Sequence, residues 1–246
     1  MTIPYLSIIL PAHNEALRLS DSLEKIKRFV DSQSFLSEVL VVENASSDDT
    51  LRIARSCQED FPQLKVIHLD QPGKGNAIRT GMLAASGQYR FMADVDLSMP
   101  VDEILNFLPP KLSEPQVVIG SREKEGSKRI GEPFYRHLVG RVFNLLVRVL
   151  VLPGIQDTQC GFKCFSAFAA ESVFPHQTLD GWSFDVEVLG IARSLGYEVV
   201  EVSITWVYHP GSRMHLIRDS WKMFKEILLI RRNKRKGLYN GKEIRP

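Results

Sequence analysis

Tyr89-Arg90-Phe91-Met92-Ala93 runs without interruption into Asp94-Val95-Asp96, and the fold turns on how that stretch is read. Its first five residues are rich in aromatic and apolar side chains, as a strand requires, and two carboxylates follow at once. Three earlier runs have the same character: residues 5–10 (YLSIIL), 38–42 (EVLVV) and 65–69 (KVIHL). Between these runs, residues 16–32, 49–59 and 76–86 show helical apolar spacing. Continuous apolar strands alternating with helices predict a largely parallel sheet with both faces covered, the doubly wound α/β pattern. Ligands in such sheets bind beyond the carboxyl ends of the strands. The loops opening at Pro11, Glu43, Asp70 and Asp94 are therefore where function is expected, and all carry polar or charged groups.

Working outward, residues 117–121 read as a further strand and 123–133 as a charged, glycine-containing mobile loop. Residues 134–152 read as a helix with two stripes. Phe134, Leu138, Val142, Leu145, Val149 and Leu152 form the apolar one; His137, Arg141, Asn144 and Arg148 form the other. The apolar stripe either packs on the sheet or lies in a membrane interface. Residues 161–165 read as a strand, 184–194 as a helix and 198–204 as a strand. Ile217, Trp221, Phe224 and Leu228 make an apolar stripe on a last helix rich in Arg and Lys. No repeat or linker divides the chain, so residues 1–212 are expected as one domain, with 213–246 a basic amphipathic helix and tail at a membrane surface.

The chain has 246 residues, 44% of them hydrophobic, which excludes a disordered or low-complexity protein. A formal net charge of +2 argues against a nucleic-acid coat, and no nucleic-acid partner is expected. That total hides a polarity: from Arg213 onward there are 11 Lys/Arg against 3 Asp/Glu, while residues 1–212 hold 20 against 26. An acidic body with a basic tail is a partner signature, here for anionic lipid. Cys57, Cys160 and Cys164 are too few for a disulfide framework and fit a reducing cytosol. Cys160 and Cys164 have no second pair at zinc spacing. The start of the chain is not basic and its apolar run stops at Pro11, unlike a signal peptide. No apolar stretch reaches the roughly 20 residues of a membrane span.

Several segments carry chemistry. Asp94 and Asp96 suit a hard cation, since Mg²⁺ and Mn²⁺ take one or two carboxylates plus substrate phosphates; a turn capping a helix near Asp102 is the plainer alternative. Gln71-Pro72-Gly73-Lys74-Gly75-Asn76 leads into a helix, where glycines admit a ligand and the helix N-terminus favours anions, although a simple turn has the same composition. It is not a Walker A loop. In Glu43-Asn44-Ala45-Ser46-Ser47-Asp48-Asp49-Thr50, Ser47 or Asp48 is expected to cap a helix while Glu43 or Asn44 faces ligand. Segments 154–163 and 181–187 place Asp157 and Asp185 beside aromatics, as acceptor-positioning groups, as bases, or as parts of structural hydrogen-bond networks. Arg122, Lys128, Arg129 and Arg213 are candidate phosphate partners, Lys128 and Arg129 equally readable as a solvated loop.

In combination these segments resemble the inverting family 2 glycosyltransferases of GT-A fold over nearly the whole chain. Ile8-Ile9-Leu10-Pro11-Ala12-His13-Asn14-Glu15 is similar to the family's first-strand motif, Gly73-Lys74-Gly75 to its glycine loop and Asp94-Val95-Asp96 to its metal motif. Residues 157–163 (DTQCGFK), 182–187 (WSFDVE), Trp206 and Gly211-Ser212-Arg213 resemble the polyprenyl- and dolichyl-phosphate branch, its glucosyl members more than its mannosyl ones. Glu43-Asn44 stands where the family commonly has two aspartates, and Ser98 where mannosyl relatives often have a glutamine.

The resemblance implies a single α/β GT-A (Rossmann-like) domain with a mostly parallel central sheet and helices on both faces. It implies a donor site at Pro11, Asn14, Glu15, Glu43, Asn44, Lys74, Arg79, Asp94 and Arg122. Mg²⁺ or Mn²⁺ would sit on Asp94 and Asp96, and the acceptor on Arg129, Arg136, Gln159, Lys163 and Arg213. Asp94, Asp96, Asp157 and Asp185 would be the catalytic carboxylates. The expected reaction moves a hexose, glucose favoured, from a nucleoside-diphosphate sugar (UDP-glucose favoured) to a polyprenyl phosphate. The enzyme would be cytoplasmic and held peripherally at the inner face of a membrane. GDP-mannose as donor, a soluble sugar hydroxyl as acceptor, and a non-enzymatic nucleotide- or membrane-binding module are the alternatives. A hydroxyl acceptor would need a base, for which Asp185 is the candidate.

Overall fold

A computed structural model describes residues 2–209 and 216–239, excepting the side chains of Arg136, Val139 and residues 216–221. Chain order gives β1 (Leu6–Ala12), α1 (Leu19–Ser32), β2 (Ser37–Asn44), α2 (Thr50–Cys57), β3 (Leu64–Leu69), α3 (Lys74–Ala84) and β4 (Tyr89–Met92). There follow β5 (Val117–Ser121), β6 (Lys128–Ile130), α4 (Phe134–Leu150), β7 (Lys163–Ser166) and α5 (Ala167–Val173). The last elements are α6 (Phe184–Ser194), β8 (Val199–Ser203), β9 (Thr205–Val207) and α7 (Leu216–Arg235). Among the described residues, seven strands form the central sheet in the order β3-β2-β1-β4-β7-β5-β8. All neighbours are parallel except β7, which is antiparallel to both β4 and β5.

Strand periodicity builds the two layers of core. Ile9, Leu40 and Val42 point into one cluster, while Ile8, Leu10, Val39 and Val41 point into the other. Burying each such side chain stabilises the fold by ~1.5–3 kcal/mol. On the first face α3 lies so close that a Cβ on Gly81 would stand 2.4 Å from Ile9 Cγ2. That contact fixes the N-terminus of α3 beside the carboxyl ends of β1 and β2. The reversed direction of β7 matters equally. Lys163 is in register with Met92 and Ile119, so the chain entering β7 arrives at the carboxyl ends of β4 and β5. Residues 157–162 thereby meet the loop that follows β4.

Two elements differ from the expectations, and a third, α4, decides between two of them. Within the expected loop 123–133, Lys128–Ile130 forms β6 and pairs in parallel with β9. A three-residue strand has no readable period, and its partner lies far along the chain. On α4 the apolar stripe faces outward: Phe134 is 80% and Val149 72% exposed, and Leu138, Val142 and Leu145 are exposed as well. Among the described residues Val147 is buried in the core, Phe143 and Leu150 pack against it, and Leu152, just beyond the helix, is buried. On α7 the packed face is Met223, Ile227 and Ile230, while Phe224 is half-buried and Leu228 exposed. Ile230 lies against Gly190 of α6, where a Cβ would meet it at 3.7 Å.

Candidate active site

The chain leaves β1 to build β2 and β3 on one side and returns to lay β4 on the other. That reversal makes a switch point at which the loops after β1 and β4 part, the usual seat of a ligand in an open α/β sheet. A cleft of about 560 Å³ opens there. Pro11, His13, Glu15 and Asn44 line one side, and Gly73, Lys74, Asp94 and Asp96 the floor. Asp180, Trp182, His209, Lys222 and Glu226 close the other side.

Asp94 and Lys74 form the centre. The Lys74 ammonium lies 2.5 Å from Asp94 Oδ1 and 5.3 Å from the centre of the Trp182 ring. Burial by itself would lower the Lys74 pKa, but Asp94, Asp185 and Asp96 outweigh it and the pKa is raised. The lysine is therefore firmly cationic. The second oxygen of Asp94 rests on Gly161, where a Cβ would come within 2.2 Å of Oδ2. A glycine is required there, so one motif of the sequence exists to seat a carboxylate from another. Asp96 accepts hydrogen bonds at Oδ1 from the Ser98 amide (3.0 Å) and hydroxyl (2.9 Å). Desolvation, followed by the charge of Asp94, raises its pKa against those two bonds. Two crowded carboxylates of this kind gain from a shared cation. Among the described residues no group of three or more His, Cys, Asp and Glu is assembled for a metal. A two-carboxylate donor set fits Mg²⁺ or Mn²⁺, whose remaining positions go to phosphate and water.

The glycine loop is sutured from both sides. Gly73 N–H donates to Asn44 Oδ1 (3.1 Å) and Gly75 N–H to the Asp180 carbonyl (2.8 Å). Glu187 is fully buried, holds the 178–179 segment through both amides and the Thr178 hydroxyl, and also accepts from the Tyr239 hydroxyl. Asn44 lines the cleft, but its side chain is spent on the Gly73 amide and the Ala12 carbonyl. Glu43 turns inward, with His68 Nδ1 donating to Oε2 at 2.5 Å and the Ser46 amide to Oε1 at 2.6 Å. Burial opposes its ionisation, yet the Ser46 and His68 contacts lower its pKa. Asn14, at φ 51°, accepts from the Ser47 amide, while Asp48 accepts from the Thr50 amide at the start of α2. Pro11 and Glu15 reach the cleft; Arg79, half-buried on α3, does not line it.

The remaining candidates form two ion-pair sites. Asp157 is fully buried and grips Arg122 twice, Nε to Oδ2 at 2.6 Å and Nη2 to Oδ1 at 2.8 Å. Arg122 lies over the Trp206 ring at 5.4 Å. Arg129 joins them by donating to the Arg122 carbonyl, and pairs with Glu123 (2.6 Å) and Glu132 (2.5 Å). The β6–β9 ribbon links this cluster to the loop after β4, since the Val207 amide donates to the Ser98 carbonyl at 2.7 Å. The second site is Lys163 with Asp185. The ammonium is fully buried and donates to the Asp185 carboxylate and the Cys160 carbonyl, so it does not reach the cleft surface. Burial raises the Asp185 pKa against the pull of Lys163 and Lys74. Gln159 has a buried side-chain nitrogen with no hydrogen-bond partner. The Arg136 side chain and Arg213 lie outside the described residues. Lys222 and Glu226, unmarked in the sequence, reach the cleft because α7 packs across α6.

The family model for Glycosyl transferase family 2 matches residues 7–174, which takes in β1 through the glycine loop, Asp94, Asp96 and the 157–163 segment. The chain belongs to glycosyl transferase family 2. Its family 2 relatives include the dolichyl-phosphate beta-glucosyltransferase of Dictyostelium discoideum, 32% identical over 243 residues, or 92% of this chain and 74% of that protein. The enzyme of that name from Homo sapiens is 32% identical over 241 residues, again 92% and 74%. The Saccharomyces cerevisiae one is 31% identical over 258 residues, covering 96% of this chain and 76% of the relative. A solved family likeness in fold is glucosyl-3-phosphoglycerate synthase of Mycobacterium tuberculosis, in a complex with Mn²⁺, UDP and glucosyl-3-phosphoglycerate. It has a TM-score of 0.69 at 20% identity, over 93% of this chain and 80% of that one. The family 2 chain thus has the GT-A architecture expected of it, a mostly parallel sheet flanked by helices.

Proposed function

We propose that this family 2 chain is an inverting glucosyltransferase moving glucose from UDP-glucose to a polyprenyl phosphate at a membrane surface. The observation that carries the reading is that relatives 31–33% identical over 92–98% of the chain bear the name dolichyl-phosphate beta-glucosyltransferase. The solved neighbours with Mn²⁺ and UDP-glucose agree with the donor class.

Asp94 and Asp96, which both line the cleft, would hold Mg²⁺ or Mn²⁺, and the ion would supply Lewis-acid neutralisation of charge on the departing nucleoside diphosphate. Lys74, at the first residue of α3, supplies preorganised positive charge at the diphosphate. Asp157 holds Arg122 over the Trp206 ring; the resemblance assigns Arg122 to the donor diphosphate and Arg129, Arg136 and Arg213 to the acceptor phosphate. A phosphate monoester has its second pKa near ~6 and is largely dianionic at neutral pH, so it attacks without a base. Asp185, held by Lys163, then orients sugar or cations. A hydroxyl acceptor would ask Asp185 to take a proton, and its raised pKa is the feature favouring that second reading.

The outward stripe of α4 is the membrane contact. Exposed Phe134, Leu138, Val142, Leu145 and Val149 enter the headgroup boundary, while Arg141, Arg148 and the basic end of α7 face anionic lipid. Each basic residue near the surface adds about 1 kcal/mol. No helix among the described residues is long and apolar enough to cross a membrane.

A panel of UDP-glucose, GDP-mannose and UDP-N-acetylglucosamine with a short polyprenyl phosphate and Mg²⁺ or Mn²⁺ tests the donor. Preference for UDP-glucose supports the reading; preference for GDP-mannose overturns it.

A further inference from the structure

We infer that Lys74 is a stand-in for the divalent cation, closing Asp94 to metal until the donor diphosphate draws the ammonium away. The inference rests on the assignment of Asp94 and Asp96 as the metal carboxylates and deepens it. Its consequence is that metal and nucleotide bind cooperatively, through this one side chain.

Three observations support it. First, the two oxygens of Asp94 are both engaged: Oδ1 by the Lys74 ammonium at 2.5 Å and Oδ2 by its seat against Gly161. With Oδ2 turned to the glycine, Oδ1 is the oxygen that faces Lys74, so a cation shared by Asp94 through Oδ1 competes with the ammonium for that position. Second, the root of Lys74 is fixed. The hydrogen bonds of Gly73 to Asn44 and of Gly75 to Asp180 hold the loop on either side of it. The flexible stem can still swing, and the face of Trp182, 5.3 Å from the ammonium, offers a cation a second resting contact. Third, the charge at the Asp94–Asp96–Lys74 cluster itself changes sign. Asp94, Asp96 and Lys74 sum to −1, whereas adding a divalent cation with the ammonium still in place leaves +1 in a space where Lys74 is mostly shielded from water. Like charges so close repel strongly away from bulk solvent. A diphosphate relieves this by giving the displaced ammonium an anionic partner. By linkage, whatever factor the nucleotide adds to metal affinity the metal adds to nucleotide affinity.

The test is Mn²⁺ binding by electron paramagnetic resonance or calorimetry, on the full chain with and without UDP. It compares the parent with Lys74→Met, Lys74→Gln and Lys74→Arg, each checked for folding by circular dichroism and thermal melting. The two neutral variants are expected to bind Mn²⁺ without UDP about 10-fold more tightly than the parent, with a smaller gain on adding UDP, a coupling of ordinary allosteric size. Lys74→Arg should stay near the parent. A lysine that only contacts phosphate predicts unchanged metal affinity without UDP in the neutral variants, and that result, or a weaker affinity, overturns the inference while leaving the metal assignment standing. Absence of Mn²⁺ binding in every protein, with or without UDP, overturns both.

Discussion

The fully buried carboxylate of Asp157 and the guanidinium of Arg122, which lies over the Trp206 ring, form a two-pronged ion pair at 2.6 and 2.8 Å. Burial alone would raise the Asp157 pKa, but Arg122 brings it down to about 2. Asp157 is thus a positioning residue: it fixes an arginine and has no proton to trade near neutrality. Asp157→Asn should cost about 3 kcal/mol or more, because it strips a buried cation of its charge partner. It should also raise KM for UDP-glucose more than it lowers kcat. Denaturation and steady-state kinetics check both.

The same pair sets an acid limit on stability, together with Glu38. Glu38 is buried and, although desolvation opposes it, Lys65, Ser7 and Ser86 hold its pKa at about 2. A folded-state pKa below the unfolded value of about 4 stabilises the fold at higher pH, and that contribution is lost as pH falls through the folded value. Unfolding free energy should therefore be level above about pH 5 and decline between about pH 4 and 2. Asp157→Asn should flatten part of that decline in urea titrations across the range.

Gly161→Ala places a methyl group 2.2 Å from Asp94 Oδ2 and must push the carboxylate aside. Turnover should fall on the order of 100-fold, as for other misplacements of about 1 Å, while far-ultraviolet circular dichroism stays unchanged. Mn²⁺ affinity measured in the presence of UDP should fall with it.

Asp185→Asn separates the two acceptor readings. With a phosphate acceptor, turnover should drop by about 10-fold or less, whereas loss of a general base costs about 100-fold to 10,000-fold. The variant also leaves Lys163 buried beside a neutral group, so its melting temperature should fall; Lys163→Met added to it should restore part of the loss.

Leu138→Glu with Val142→Glu should weaken sedimentation with anionic liposomes without lowering the melting temperature, since both side chains are exposed. Charge removal at Arg232, Lys234 and Arg235 is the matching test for α7. Truncating the tail would be a poor substitute, because Tyr239 is buried and its hydroxyl donates to Glu187.

Much of this was legible in the chain. The first four strands and the helices between them lie within about three residues of the apolar runs that announce them, and residues 184–194 match α6 end to end. Asp94, Asp96 and Lys74 share a cleft because they sit at strand ends and a helix start, positions that periodicity does locate. Local pattern could not reveal who partners whom. Glu43 looks like a ligand group in sequence, but β2 turns it toward His68 on the neighbouring strand. Lys163 is expected at the acceptor, yet β7 runs between two strands and drives it into the interior against Asp185. The α4 stripe shows amphipathicity without saying what it faces, and β6 pairs with β9 across a separation no window spans.

Glucosyl transfer to a lipid phosphate is measured most directly by following radiolabel from UDP-[¹⁴C]glucose into the organic phase. An anionic glucolipid is expected to form only when polyprenyl phosphate and Mg²⁺ or Mn²⁺ are both present. Label that stays in the aqueous phase, or moves onto a soluble sugar regardless of lipid, would contradict it.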